Sequence, residues 1–225
     1  MEKPINMNIL FLGDSITEGV GASAPDKKYT DIVGTKLGCR IVNYGISGTR
    51  IGRQKYTSDR TIRDIDFRTR VNLMEDEADV VFVFGGTNDY GHGTLHLGEP
   101  EQFKEDTFCS QFHLLIRELL KKYDKDKLCF ILPLHRFFEE PMACKGDNAN
   151  ELGASLGEYV DAMRKILSVY KIDYIDLYEN GFPKPLTDKG DEYTKDGLHP
   201  NDRGHEFVAN CICDYIFGKF GIDVR

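Results

Sequence analysis

The sequence predicts an α/β sandwich built around a mostly parallel β-sheet. Three observations lead to this fold class: short apolar runs rich in β-branched residues recur along the chain, segments with helical spacing separate them, and Gly-rich polar segments follow several of the runs. Near-continuous apolar runs suit strands covered by helices on both faces. Strands that alternate with helices indicate βαβ units, which build a parallel sheet.

Five apolar runs are the predicted strands. In chain order they are Met7–Leu12, Arg40–Tyr44, Asp79–Phe84, Leu128–Leu132 and Ile172–Leu177. Apolar residues at helical spacing mark four predicted helices between and after them. These are Thr30–Leu37, Phe103–Tyr123, Leu156–Tyr170 and His205–Phe217.

The length of 225 residues and a hydrophobic fraction of 40% predict a single domain over residues 1–225. A formal net charge of -8 argues against nucleic acid as a partner, because phosphate binding needs a basic surface. The sequence shows no membrane span and no signal-peptide pattern, so we expect a cytoplasmic protein unless a leader has been lost. The six cysteines are expected to be free thiols. Oligomeric state stays open, a homo-oligomer included.

Polar segments follow the predicted strands where a parallel sheet binds its ligands, beyond the carboxyl ends of the strands. Gly13–Ser15 follows the first strand, Gly45–Gly48 the second and Gly85–Asp89 the third, and Asp196–Pro200 lies in the loop after the fifth. These segments are where we look for chemistry.

Ester hydrolysis by a serine requires a nucleophile, a base, a group that orients the base, and donors for the oxyanion. Ser15 lies at the expected start of a helix, where its backbone N–H is unpaired, although a serine there more often only caps the helix. Asp196 and His199 are three residues apart, so the carboxylate can hold one ring nitrogen and leave the other as the base. With the Ser15 N–H, the Gly48 N–H and the Asn88 side-chain amide complete a three-donor oxyanion hole.

Four segments together resemble the GDSL, or SGNH, hydrolase superfamily. They are Gly13-Asp14-Ser15-Ile16-Thr17, Asn43–Thr49, Gly86–Asp89 and Asp196–Pro200, in the family's order. The resemblance implies a three-layer α/β/α fold similar to flavodoxin, with about five parallel strands. It also implies hydrolysis of esters or thioesters through an acyl-enzyme without a cofactor, and it places Gly48 at the family's oxyanion glycine.

Several other motifs compete with this interpretation. Gly153–Gly157 matches the G-x-S-x-G elbow, but a polar loop precedes Ser155, which we expect to start a helix. Gly19–Ala24 matches a dinucleotide motif but does not directly join a strand to a helix. His92 and His96 could hold a metal if they were helical, but the glycines around them indicate a loop, and no metal is expected.

Further residues are candidates for contact with the substrate. They are Asp14, Thr87, Tyr90, His92 and His135, of which Asp14 is expected to be structural rather than catalytic. The charges of mixed sign between Arg50 and Arg70 predict a solvated face, with a cationic patch facing the substrate as the alternative.

We therefore expect a carboxylic-ester hydrolase that acts on a small-molecule ester. Acetyl groups on carbohydrates are the first expected substrates, by analogy of fold and because no long apolar stretch suits a fatty chain. A lysophospholipase or an acyl-thioesterase of the same family is the alternative within the class. A non-catalytic binding domain on this fold and a metal-dependent hydrolase are the alternatives outside it.

Overall fold

The computed structural model describes residues 7–54, 61–104, 106–141 and 153–221. Five strands form one parallel sheet in the order β2-β1-β3-β4-β5. They are β1 (Asn8–Gly13), β2 (Arg40–Gly45), β3 (Val80–Phe84), β4 (Leu128–Ile131) and β5 (Asp173–Ile175). This strand order is that of flavodoxin, so the predicted fold class is confirmed.

Seven α-helices lie within the described ranges. They are α1 (Ser15–Glu18), α2 (Tyr29–Leu37), α3 (Phe67–Val71), α4 (Thr87–His92), α5 (Phe108–Lys122), α6 (Leu156–Tyr170) and α7 (Asp202–Phe220). Three short 3₁₀ turns join them, at Pro25–Lys27, Thr61–Asp64 and Lys125–Lys127. None of these described helices combines the length and apolarity needed to cross a membrane.

The sheet carries a separate hydrophobic core on each face, because alternate residues of a strand point to opposite sides. Leu10 of β1 and Val81 of β3 belong to the core beneath α3, α5 and α6. Their neighbours Ile9 and Val80 belong to the core beneath α2 and α7. Each fully buried side chain of this kind contributes roughly 1.5–3 kcal/mol. The central strands are therefore held from both sides, and the loops at their carboxyl ends start from fixed points.

Capping residues account for where the long helices begin. Ser155 forms a capping box at α6, so this helix has the predicted bounds. Helix α5 starts at Phe108, five residues later than predicted, because the Thr107 hydroxyl accepts from the Ser110 N–H and fixes the first turn there. Helix α7 starts three residues earlier than predicted, because the Asn201 side chain caps it.

The short helices α1, α3 and α4 have four to six residues each. Helices of this length are not stable by propensity alone, so no sequence periodicity predicts their extent. Two of them directly follow β1 and β3 and point their first turns at the carboxyl edge of the sheet. These two helices carry Ser15 and Asn88 of the candidate site.

Candidate active site

The triad predicted from the sequence comes together at the carboxyl edge of the sheet. The Ser15 Oγ lies 3.0 Å from the His199 Nε2, and the His199 Nδ1 lies 2.7 Å from the Asp196 Oδ2. A carboxylate only accepts hydrogen bonds, so Nδ1 carries the proton and Nε2 accepts from the serine hydroxyl. The three side chains therefore form one chain of hydrogen bonds with a single direction.

Asp196 is the exposed end of this chain, with 49% of its side chain accessible. Its second oxygen accepts from the backbone N–H of His199 at 2.8 Å and of Leu198 at 3.2 Å. Burial by itself would raise the pKa of Asp196, but the hydrogen bonds from the His199 backbone and ring outweigh it and lower the pKa. The carboxylate is thus kept ionised, as a partner of an imidazole ring requires.

Asp14 and helix α1 position Ser15. The Asp14 carboxylate caps α1 by accepting from the Ile16 N–H at 3.0 Å. Within the described ranges no group accepts from the backbone N–H of Ser15, which therefore remains available at the positive end of the helix. Burial raises the pKa of Asp14 to about 7. Its role in capping agrees with the structural role expected from the sequence.

The loop that carries Asp196 and His199 is braced within itself. The Asp191 carboxylate accepts from the backbone N–H groups of Tyr193 and Thr194, both at 2.9 Å. Across the loop, the Lys195 N–H donates to the His199 carbonyl at 2.8 Å. These bonds fix the backbone on both sides of the acid and the base.

A second set of contacts ties this loop to the segment after α1. Ser23 donates its N–H and its hydroxyl to the Asp202 carboxylate, at 2.7 and 2.6 Å. Gly21 adopts a positive φ of 101°, and a Cβ there would lie 2.1 Å from the Pro200 carbonyl oxygen. Only glycine allows the chain to pass so close to His199.

Gly48 lies on the other side of Ser15, in the turn after β2. Its φ is 77°, and a Cβ would collide with the Arg63 side chain at 2.8 Å. The turn is held by Ser47, whose N–H donates to the Glu18 carboxylate of α1 at 2.6 Å. No described residue accepts from the Gly48 N–H, which leaves it free to serve as an oxyanion donor.

Asn88 lies in the first turn of α4 and is almost fully buried. Its side-chain nitrogen donates to the Thr49 carbonyl at 3.0 Å and contacts the Asp14 Oδ2 at 3.3 Å. Its side-chain oxygen lies 3.0 Å from the His92 Nε2. The longer contact, to Asp14, is the weaker of the two nitrogen bonds.

Two of the candidate substrate contacts, Thr87 and Tyr90, contact the segment after β4, and a third, His135, belongs to that segment. The Thr87 hydroxyl lies 3.4 Å from the Arg136 Nη1, and the Tyr90 hydroxyl donates to the Glu140 carbonyl at 2.7 Å. The His135 Nδ1 donates to the Glu139 Oε1 at 2.7 Å. All three therefore lie where α4 meets this segment, and their contact with a substrate stays a prediction.

Two arginines at the site correct the expectation of a solvated charged face. Arg50 is 6% exposed and Arg70 is 3% exposed. Arg70 donates to the carbonyls of Tyr44 at 2.6 Å and Gly13 at 2.9 Å, and to the Thr49 hydroxyl at 2.9 Å. It thereby ties the nucleophile segment to the Gly48 turn. Buried and exposed arginines look alike in a sequence, so nothing in the pattern identifies Arg70. Lys55, Asp59 and Arg60, which also carry charge in this segment, lie outside the described residues.

Asp89 is a further residue that the sequence places in a motif without a role. Its two carboxylate oxygens accept from the backbone N–H groups of Ile51 at 3.0 Å and Gly52 at 2.8 Å. Burial raises the pKa of Asp89 to about 6. The residue holds the chain that follows Gly48 against α4.

The structure shows the surroundings of the competing serine and histidines. Ser155 caps α6, as expected. His205 also has an acid three residues before it, but that acid, Asp202, binds Ser23 and not the His205 ring. Burial lowers the pKa of His205 to about 4. Among the described residues no three His, Cys, Asp or Glu side chains converge as a metal ion would require.

Comparison with known proteins places these features in context. A sequence model of the GDSL-like Lipase/Acylhydrolase family matches residues 11–207. The chain is 27% identical to the Homo sapiens protein named Isoamyl acetate-hydrolyzing esterase 1 homolog, over 94% of this chain and 82% of that protein.

Two solved structures share the fold. A lipase/acylhydrolase from Enterococcus faecalis has a TM-score of 0.63 at 20% identity, over 95% of this chain and 96% of its own. An acetyl xylan esterase has a TM-score of 0.61 at 20% identity, over 93% of this chain and 100% of its own. At this level of identity, the likeness concerns the fold alone.

Proposed function

We propose that Ser15, His199 and Asp196 are the catalytic triad of this chain, which belongs to the GDSL-like lipase/acylhydrolase family and is a carboxylic-ester hydrolase. One observation carries the proposal. The Ser15 Oγ is 3.0 Å from the His199 Nε2, and the His199 Nδ1 is 2.7 Å from the Asp196 Oδ2. A serine, a base and an acid in hydrogen-bond contact are what acyl transfer needs.

In the first step, His199 takes the Ser15 proton on Nε2 while the Ser15 Oγ attacks the ester carbonyl. Asp196 stabilises the imidazolium that forms, because its carboxylate accepts from Nδ1. The imidazolium then gives its Nε2 proton to the departing alcohol, which leaves an acyl group on Ser15. Water, deprotonated by His199, attacks this ester, and Ser15 recovers the proton as the acid departs.

Three donors stabilise the negative oxygen of each tetrahedral intermediate. They are the N–H groups of Ser15 and Gly48, which have no described acceptor, and the Asn88 side-chain nitrogen. To serve the oxyanion, Asn88 exchanges its long contact with Asp14 for a bond to the substrate. Such a donor is worth roughly 3–4 kcal/mol in the transition state.

For the substrate, we propose a small-molecule ester with a short acyl group, first of all an acetate. The name of the human relative supports the acetyl part, since it describes hydrolysis of isoamyl acetate. The alcohol part is less constrained, and acetylated carbohydrates remain the first class to test.

Labelling with a fluorophosphonate tests the nucleophile. Wild-type protein should react at Ser15 and lose esterase activity, whereas Ser15→Ala should neither label nor turn over substrate. Ser155→Ala is the matched control, because that serine caps a helix away from the triad. Activity that persists in Ser15→Ala contradicts the triad, and activity abolished by a chelator favours a metal-dependent hydrolase.

A panel of p-nitrophenyl esters of increasing acyl length, assayed beside isoamyl acetate and acetylated xylo-oligosaccharides, tests the substrate. We expect kcat/KM to be highest for acetyl esters and to fall with acyl length. A preference for long acyl chains would favour the lysophospholipase or thioesterase alternative instead.

A further inference from the structure

A closed ring of hydrogen bonds joins the loop after β2 to helix α4. The Arg50 Nη1 lies 3.1 Å from the His92 Nδ1, and the His92 Nε2 lies 3.0 Å from the Asn88 Oδ1. The Asn88 Nδ2 then donates to the Thr49 carbonyl at 3.0 Å. Because Thr49 and Arg50 are neighbours in the chain, their peptide bond closes the ring.

The ring can have only one direction. Arg50 has no acceptor atom, so the His92 Nδ1 must accept and the neutral ring carries its hydrogen on Nε2. That hydrogen can only be donated to the Asn88 oxygen. The Asn88 nitrogen is thereby turned toward the Thr49 carbonyl, which can only accept. Arg50 at one end of the ring and the Thr49 carbonyl at the other therefore favour the same orientation of the Asn88 amide.

We propose that His92, whose ring is oriented by Arg50, is a positioning residue for the oxyanion hole. The inference rests on the proposed function, because it assigns the Asn88 amide to the oxyanion. Gly48 directly precedes Thr49, so the ring fixes the Gly48 N–H relative to the Asn88 amide, although the two donors lie on separate elements. Donation into the Asn88 oxygen also polarises its N–H bonds and makes the amide a better donor.

Neighbouring contacts hold the ring in place. Arg50 makes a second bond from Nη1 to the His92 carbonyl at 2.9 Å, and its Nη2 lies 3.6 Å from the Asp64 carboxylate. Next to Asn88, the Asp89 carboxylate accepts from Ile51 and Gly52. Both ring nitrogens of His92 have partners inside the protein, so His92 acts on the reaction through Asn88 and not by touching the substrate.

Three substitutions of His92 separate the two halves of its role. The nitrogen of a glutamine side chain lies about where Nε2 lies in histidine, so His92→Gln keeps the donation to Asn88. Asparagine reaches only to the Nδ1 position, so His92→Asn keeps a partner for Arg50 and loses that donation. His92→Leu loses both.

We expect kcat to fall about tenfold in His92→Leu and His92→Asn, the effect of one hydrogen bond. In His92→Gln, kcat should stay within about threefold of wild type. In all three variants KM should change less than about twofold, because the bond acts in the transition state. His113→Leu is the control. Both nitrogens of the His113 imidazole have hydrogen-bond partners, Tyr170 and the Pro100 carbonyl, and neither partner belongs to the hydrogen-bonded ring around Asn88. This substitution should lower the melting temperature and leave kcat unchanged. Retention of kcat in His92→Asn with loss in His92→Gln would overturn the proposal.

A double-mutant cycle with Asn88→Ala decides whether His92 acts through Asn88. Asn88→Ala should lower kcat by about 10²–10³-fold. In that background, His92→Leu should cost less than about twofold further. A full tenfold cost there overturns the positioning role while leaving the proposed oxyanion hole intact. An unchanged kcat in Asn88→Ala alone overturns both.

Discussion

His199 and His135 each pair with a carboxylate, but of these two pairs the His199 pair alone contacts a serine hydroxyl among the described residues. The His199 Nδ1 lies 2.7 Å from the Asp196 Oδ2, and the His135 Nδ1 lies 2.7 Å from the Glu139 Oε1. Both rings therefore have the same tautomer. They differ in what surrounds them: the His199 Nε2 meets the Ser15 hydroxyl, whereas the His135 ring packs on Tyr178 with 4.1 Å between ring centres.

The two acids differ even more than the two rings. The Glu139 side chain is 6% exposed and binds three groups besides His135. These are the Arg136 N–H at 2.9 Å, the Lys184 Nζ at 2.9 Å and the Tyr178 hydroxyl at 3.3 Å. Among the described residues, Asp196 in contrast accepts hydrogen bonds from His199 and Leu198 of its own loop alone. A histidine–carboxylate pair is thus not a catalytic unit by itself. We interpret the Glu139 pair as a clamp on the segment after β4.

The largest expected effect comes from breaking the pair that meets the serine. Ser15→Ala should lower kcat on p-nitrophenyl acetate by about 10³-fold or more, and His199→Ala should lower it similarly, because the two act as one unit. His135→Ala is the matched control and should keep kcat within about fivefold. A loss in His135→Ala as large as in His199→Ala would remove the distinction between the pairs.

The next effect concerns the acids. Asp196→Asn should lower kcat by about 10²–10⁴-fold, because an amide no longer holds the His199 tautomer or stabilises the imidazolium. Glu139→Gln should lower kcat by less than about tenfold. Steady-state kinetics at saturating substrate compares the two, and equal losses would contradict our interpretation of Glu139 as a clamp.

The effect on the free energy of unfolding should have the opposite order, with substitution of Glu139 costing more than substitution of Asp196. Burial by itself would raise the pKa of Glu139, but hydrogen bonds from His135 and Lys184 outweigh it and hold the pKa at about 2. The folded pKa is below the unfolded one, so this stabilisation is complete above about pH 4.5 and is lost as the pH falls toward 2. Glu139→Gln should therefore cost about 1–3 kcal/mol at pH 7 and flatten the acid limb of the stability curve.

Urea denaturation between pH 3 and 7 measures both effects. Asp196→Asn serves as the control, and it should cost less than about 1 kcal/mol because half of that side chain is exposed. An acid limb with the same slope in Glu139→Gln as in wild type would count against the clamp.

Asp14 should affect stability with a sign opposite to that of Glu139. Burial raises its pKa to about 7, so the folded protein keeps a proton that the unfolded chain releases near pH 4. The stability of the fold should therefore fall as the pH rises from about 4 to about 7. Asp14→Asn cannot ionise and should show a shallower decline of melting temperature over this interval. An unchanged slope would show that Asp14 is not the group that titrates.

The sequence is sufficient for much of the fold. Central strands such as Val80–Phe84 are apolar at every position because both faces are covered, and that pattern is visible in the chain itself. Helix α6 has its predicted bounds because its capping box is a local signal. Helix α5 differs because its predicted start is at Phe103, whereas the Thr107 cap fixes the observed start at Phe108.

The residues of the candidate site also fall into two groups, those that the local sequence marks and those that only the tertiary structure brings together. Ser15, Gly48, Asn88, Asp196 and His199 stand beside strand ends or in a turn, where local chemistry marks them, and the structure brings them to one edge of the sheet. The hydrogen bonds that join Asn88 to Thr49 and His92, and His92 to Arg50, have no such marker. Two of these bonds join residues 42 and 39 positions apart, so no local pattern shows them.

By itself, then, the sequence determined the order of the strands and the long helices, and it singled out the residues that we propose for ester hydrolysis. These depend on periodicity, caps and short motifs, which act over a few neighbouring residues. Only the tertiary structure decided which arginines are buried and which of two histidine–carboxylate pairs faces a serine. It also decided how the Asn88 amide is turned. Those outcomes depend on partners distant in the chain, and a hydrogen bond takes its direction from both of the groups that make it.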